Sequence, residues 1–250
     1  MKLGFFKTTG VVFVTMVLTA CSGSDEDTYI ARDVEVLYNL AADQLEKRSY
    51  KNAAFLFDEV ERQHPYSGWA RRSQLQAAYA HYMSNNYDDA IQAVDRFLQL
   101  HPGNSDAPYA YYLIAISHYE QIVDVGRDQD STIKAQNALV EVIRRFPGSE
   151  YAQDARLKLD LTNNHLAGKE MEVGRYYLKR NEYLAAIGRF RAVVESYETT
   201  DHVPEAMHRM VESYLAMGVE QEARRVASVL GHNFPGSKWY KYSYNLLEGS

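Results

Sequence analysis

The sequence predicts an all-α fold, a superhelical solenoid of about five helix pairs closed by a short C-terminal capping helix. Two patterns and one absence lead there. Proline occurs only six times in 250 residues, and four of these fall as His64-Pro65, His101-Pro102, Phe146-Pro147 and Phe234-Pro235. Each of these ends an apolar-periodic run, where a residue without an N–H stops a helix. Twelve residues before each proline stands an alanine, with further apolar residues eight and five before it. The copies are Ala53, Phe57, Val60; Ala90, Val94, Phe97; Ala135, Leu139, Val142; and Ala223, Ala227, Leu230. One helix face is written several times over. Nowhere do apolar and polar residues alternate as a half-buried strand would require.

In chain order, the first segment is an address. Lys2 and Lys7 precede an apolar run at 11–18, and Leu18-Thr19-Ala20-Cys21 follows, a positive n-region, a short h-region and small residues before a cut. The run falls short of the ~20 residues of a membrane span. The next stretch, Ser22-Gly23-Ser24-Asp25-Glu26-Asp27, is polar. A lone cysteine directly after Leu-x-Ala resembles a bacterial lipobox. That resemblance implies that residues 1–20 are removed as a lipoprotein signal peptide and that Cys21, as the new N-terminus, carries a covalent diacylglycerol and an N-acyl chain. Residues 21–32 then form a lipidated tether. Ser22 after the cysteine, where Asp would favour the inner membrane, implies the periplasmic face of the outer membrane. Loss of Lys2 and Lys7 takes the net charge from -6 to -8.

The repeats follow. Residues 33–148 hold repeats one to three, and residues 149–250 hold repeats four and five with the cap. The fifth copy of the face, Ala186, Phe190, Val193, has Glu198 where proline is expected, which leaves the end of that helix open. Tyr50, Tyr87 or Tyr183 stands three residues before the alanine, at the turn between the two helices of a pair. Alanine spacings of 37, 45, 51 and 37 indicate insertions. The third repeat gains a polar loop, Asp124-Val125-Gly126-Arg127-Asp128-Gln129-Asp130, between its helices. In the fourth, 151–179 reads as one long first helix with Gly168 and Gly174 as bend points. The apolar stretch 239–247 is the terminal cap.

This arrangement resembles tetratricopeptide repeats: helix, tight turn, helix, with small alanines that let paired helices approach and a proline at the end of the second. The resemblance implies that the first helix of each pair lines a concave face. Side chains at groove-facing positions are Tyr38 and Leu45, then Leu75, Tyr79 and Tyr82, then Tyr112, Ile116 and Tyr119. Tyrosine is over-represented, at 20 against 9 Phe and 2 Trp, and amphipathic rings suit an extended peptide. Arg71 and Arg72 are candidates to pair with a terminal carboxylate. A second reading stands beside this one, in which the same tyrosines pack helix to helix.

Several chemistries are disfavoured. A single cysteine excludes an intramolecular disulfide and a cysteine-based zinc cluster. The charge balance, 27 Lys plus Arg against 33 Asp plus Glu without a basic block, argues against nucleic acid. The eight histidines form no HExxH, there is no Gly-x-Ser-x-Gly elbow and no phosphate loop, and Asp88-Asp89 sits where carboxylates favour a helix start. An enzyme is disfavoured, with no metal and no cofactor expected apart from the lipid on Cys21.

The wording of the repeats narrows the resemblance. His64-Pro65-Tyr66-Ser67, Trp69-Ala70, Gln74-Leu75, Asp95-Arg96-Phe97-Leu98, His101-Pro102 and Arg127-Asp128-Gln129 are similar to the BamD family of lipoproteins of the outer-membrane β-barrel assembly machinery. The resemblance covers essentially the whole chain. It implies a non-catalytic scaffold that binds the periplasmic domains of BamA through the C-terminal repeats and docks other lipoproteins of the machinery. It also implies that the N-terminal repeats receive unfolded outer-membrane proteins by their C-terminal targeting signals. Arg180 and Arg189 match family arginines implicated in the BamA contact. A different outer-membrane repeat lipoprotein, such as a pilotin or a scaffold for cell-wall enzymes, is the alternative that shares anchor and solenoid.

Overall fold

A computed structural model describes residues 32–249 and contains, among them, eleven helices and no strand. They are α1 (Val34–Glu46), α2 (Tyr50–Gln63), α3 (Gly68–Met83), α4 (Tyr87–Leu100), α5 (Ala107–Tyr119), α6 (Asp130–Arg145), α7 (Glu150–Lys179), α8 (Tyr183–Ser196), α9 (Val203–Ala216), α10 (Glu220–Asn233) and α11 (Lys238–Glu248). The signal segment and Cys21 lie outside the described residues. Each helix packs on the next, and α1, α3, α5 and α7 also touch in succession, as do α9 and α11. This layering is that of a helical solenoid, in which every pair contacts only its neighbours.

The repeated face is the core. Ala53, Ala90, Ala135, Ala186 and Ala223 are fully buried, and so are Val60, Val94, Leu139, Val142, Phe190, Val193 and Leu230. α2, α4, α6 and α10 stop at His64, His101, Phe146 and Phe234, each followed by proline, with ψ of 54°, 56°, 54° and 54°. A residue preceding proline is pushed out of the α region. Tyr197, which lacks that proline, still ends α8 in a similar conformation, φ -131° and ψ 42°. Its carbonyl accepts from the Thr200 N–H at 3.0 Å and from the Thr200 hydroxyl at 2.8 Å, the same turn that follows the proline-ended helices, as in Ser149 on Phe146.

Four of the turns within pairs share one device. Arg48, Asn85, Asn181 and Gly218 have φ of 58°, 62°, 60° and 72°. The following N–H reaches back to the last helical turn, Ser49 to Gln44, Asn86 to His81, Glu182 to Tyr177 and Val219 to Tyr214. These are Schellman closures, which satisfy carbonyls that the helix end leaves bare. Tyr87 and Tyr183 donate from their hydroxyls to Asn85 Oδ1 and Asn181 Oδ1, both at 3.0 Å. That clasp explains why tyrosine opens the second helix of those pairs.

The third pair is joined by the expected polar loop. Gln129 organises it from within, its Nε2 donating to the carbonyls of Asp124, Val125 and Arg127 at 3.3, 3.3 and 2.9 Å. α7 is one helix of 30 residues shared by two cores. Near its start, Tyr151, Ala155 and Leu159 pack with Ala115, Leu139 and Val142. Farther on, Ala167 and Met171 join Ala186, Phe190 and Met210. Gly174, expected as a bend point, is a contact glycine instead: a Cβ there would stand 2.5 Å from the Phe190 ring. Gly231 plays the same part for Tyr240, at 2.4 Å, letting α11 settle on α10.

Candidate peptide face and partner surface

Helices α3, α5 and α7 present tyrosines along a common seam. Tyr82 on α3 lies 5.7 Å from Tyr87, and its hydroxyl donates to Glu120 at 3.4 Å. On α5, Tyr109 and Tyr112 meet Tyr151 of α7 at 5.6 and 5.3 Å, and the Tyr112 hydroxyl donates to Asp154. Tyr119 carries the Lys158 ammonium 5.7 Å from its ring centre. Leu75, Tyr79, Tyr82 and Tyr112 are half-buried against a core of Ala78, Phe97 and Leu113. Packing and surface are therefore combined in the same rings: one side sits on the core and the polar edge remains available.

Burial pushes the Tyr82 hydroxyl up to about 12, with the Glu120 carboxylate adding to it. Burial also raises Tyr109, reinforced by Tyr79 and Tyr151, and raises Tyr112, reinforced by the hydrogen bond to Asp154. These phenols stay neutral throughout the physiological range; Tyr82 and Tyr112 spend their O–H on Glu120 and Asp154 and keep the oxygen as an acceptor.

Not every expected groove residue reaches the surface. Ile116 is 8% exposed and belongs to the core beside Leu113, in the cluster with Val94 and Phe97 of α4. Tyr38 and Leu45 sit half-buried against Ala41, Ala53 and Phe57. Tyr38 is committed to rings on both sides, Phe57 at 5.5 Å and Trp69 at 4.7 Å. Arg72 is exposed and lies 5.8 Å from the centre of the Trp69 ring. Tyr109 and Tyr151 were not expected in the seam. Tyr109 precedes Tyr112 by three residues, a same-face spacing, but the meeting with Tyr151 depends on how α5 and α7 align.

On the fourth pair, Arg180 caps α7 and Arg189 lies on α8; both are exposed. The Arg180 guanidinium donates to Glu182 at 2.8 Å and to the Tyr176 hydroxyl at 3.2 Å. Arg189 donates to Glu170 at 3.2 Å. Exposed pairs of this kind hold only weakly in water, so a partner carboxylate can replace the internal one at small cost.

One constellation imitates catalytic machinery. His208 Nδ1 is 2.9 Å from Ser243 Oγ, and its Nε2 is 3.5 Å from Glu212 Oε1. Both Ser243 and His208 are buried, and the His208 ring is 5.3 Å from Trp239. No substrate reaches that hydroxyl. The cluster fastens α11 to α9. Among the described residues no group of three His, Cys, Asp or Glu side chains is placed to hold a metal.

Comparison with known proteins agrees with this architecture. A family model described as outer membrane lipoprotein, YfiO, matches residues 31–230. The outer membrane protein assembly factor BamD of Caulobacter vibrioides is 52% identical over 96% of this chain and 80% of its own. That of Rickettsia prowazekii is 42% identical over 95% of each chain, and that of Neisseria meningitidis serogroup A is 34% identical over 93% of each. A model spanning most of the chain and near-full-length relatives above 30% identity place the protein without ambiguity: it belongs to the YfiO family of outer membrane lipoproteins, the family of the BamD assembly factors.

Proposed function

We propose that the protein is a non-catalytic scaffold of outer-membrane protein assembly. Cys21 anchors it by lipid to the periplasmic face of the outer membrane. The first three helix pairs take the C-terminal signal of an unfolded outer-membrane protein along the tyrosine seam, and the fourth and fifth hold the periplasmic domains of BamA. Other lipoproteins of the machinery dock on the same body. Holding substrate and folding subunit on one chain raises their effective concentration without bond chemistry.

The observation that carries this reading is the seam, Tyr82 through Tyr109 and Tyr112 to Tyr151, continuous across three helices and half-exposed. Its test is Tyr79→Ala combined with Tyr82→Ala, assayed by titration with a synthetic C-terminal barrel peptide. Weakened peptide binding with intact BamA binding is expected; unchanged peptide affinity removes the assignment. For the partner surface, Arg189→Glu is expected to reduce co-purification with BamA. Full recovery with a stably folded variant rejects it.

A further inference from the structure

Between the turn after α2 and the end of α4 lies a cleft of about 530 Å³, lined by Glu61, Tyr66, Arg71, Gln74, Leu100 and His101. Its floor is unusual. Gln74 is only 4% exposed, its Nε2 donates to Glu61 Oε1 at 2.7 Å, and its Oε1 has no partner. The amide cannot be turned over to cure this, since a carboxylate only accepts and the nitrogen must therefore face Glu61. A buried acceptor is left without a donor.

The repeat itself shows what is missing. Ala70, Ser73, Ala78 and Ala80 of α3 fall, 37 residues on, upon Ala107, Ala110, Ala115 and Ser117 of α5, all of them buried. In that register Gln74 corresponds to Tyr111. From α4 to α6 the frame advances 45 residues, so His101 and Leu100 correspond to Phe146 and Arg145. In the third pair the Tyr111 ring fills the slot, 5.6 Å from Phe146 and with the Arg145 guanidinium 4.8 Å from its centre. In the second pair Gln74 is too short to do so. The slot stays open between His101 and Leu100, and Leu100 is 62% exposed. Tyr66 stands free in solvent at the rim, and Arg71 has no ion-pair partner among the described residues.

The geometry points to this cleft as a docking slot for one aromatic side chain of a partner polypeptide. The incoming ring takes the place that Tyr111 fills from within one repeat later, between Leu100 and His101. Arg71 at the rim is free to donate to the partner's carbonyls. The slot uses neither Tyr79 nor Tyr82, so it stands or falls separately from the seam.

The test uses the full-length chain with N-acetyl-tyrosinamide and N-acetyl-leucinamide as probes, titrated by saturation-transfer NMR. Tyrosinamide is expected to bind about three- to tenfold more tightly than leucinamide, the range of an aromatic packing preference. Gln74→Tyr, which fills the slot internally, is expected to erase that difference. Leu100→Ala, a surface change that leaves the core untouched, is expected to weaken tyrosinamide by a similar factor even if the first variant folds poorly. Equal affinity for the two probes, or tyrosinamide binding unaltered by Leu100→Ala, overturns the proposal. So does a loss of tyrosinamide binding in Tyr79→Ala/Tyr82→Ala as large as that in Leu100→Ala, which would place the probe on the seam.

Discussion

Two glycines in adjacent helices are expected to respond to alanine with opposite signs. Gly174 lies in α7 and Gly188 in α8, both inside regular helix, where alanine is preferred over glycine by about 1 kcal/mol. At Gly188 a Cβ meets nothing within 4 Å, so that preference is expressed in full. At Gly174 the Cβ would stand 2.5, 2.8 and 2.9 Å from three atoms of the Phe190 ring. Carbon atoms in contact sit at about 3.5–4.0 Å. Phe190 is fully buried between Met171, Ala186 and Val193, so its ring has nowhere to retreat. Overpacking of this kind costs about 2–3 kcal/mol, from which the helix preference is subtracted, leaving a net loss of about 1–2 kcal/mol. For a body of this size that lowers Tm by about 2–8 °C, while Gly188→Ala raises it by about 2–4 °C. Urea and thermal unfolding of the three proteins, followed by circular dichroism at 222 nm, measure both shifts. A stabilised Gly174→Ala would refute the reasoning, because it would mean that α7 and α8 are not held at the separation that Phe190 requires.

Arg48 holds φ 58° at the position where the first pair closes its Schellman turn, a conformation that is unfavourable for a side chain with Cβ. Arg48→Gly is expected to stabilise the chain by about 1 kcal/mol, read as a higher urea midpoint at unchanged slope. The Arg62 guanidinium, helped by Gln63 and opposed by burial, holds the Glu59 carboxyl at about 2 instead of its ordinary 4.5. Because the folded value lies below the unfolded one, this stabilisation is complete above about pH 4.5 and is lost as pH falls from there through about 2. The difference in urea midpoint between the natural chain and Glu59→Gln should therefore shrink across that window; a difference independent of pH would show that the carboxylate is not the group involved.

The solenoid was legible because its constraints are local and recur in a fixed frame. An alanine twelve residues before a proline reports a close helix crossing and a helix end together, and every such alanine is buried. Even α8, whose proline is absent, ends on schedule, in the same turn that closes the proline-ended helices. The surface was less legible. Whether a tyrosine faces the core, the groove or another tyrosine depends on how helices separated by a variable insertion align. Tyr151 meets Tyr109 and Tyr112 where α7 packs on α5, a contact between residues far apart in the chain. Ile116 shows the converse: its spacing matches the groove positions, yet the neighbouring α4 covers it. The open slot at Gln74 has no signature of its own and becomes visible only against the filled slot at Tyr111.

The proposed division of labour between the two halves rests on a single helix. α7 contributes Tyr151 to the seam near its start and Arg180 at its cap, and at about 1.5 Å per residue these lie roughly 43 Å apart along the axis. On the proposed reading, that separation leaves room for a peptide on the seam and a folded domain near Arg180 and Arg189 to be bound at once. Yet the two surfaces are not on independent bodies. Midway along α7, Gly168 is flanked by Val125 from the α5–α6 loop at 3.8 Å and by His202 from the start of α9 at 3.5 Å from where its Cβ would be. Lys169 beside it donates to the Gly126 carbonyl at 3.2 Å, and Asn164 accepts from the Asp201 N–H at 3.4 Å. The loop inserted in the third repeat thus braces the shared helix on one side, and the α8–α9 connection braces it on the other.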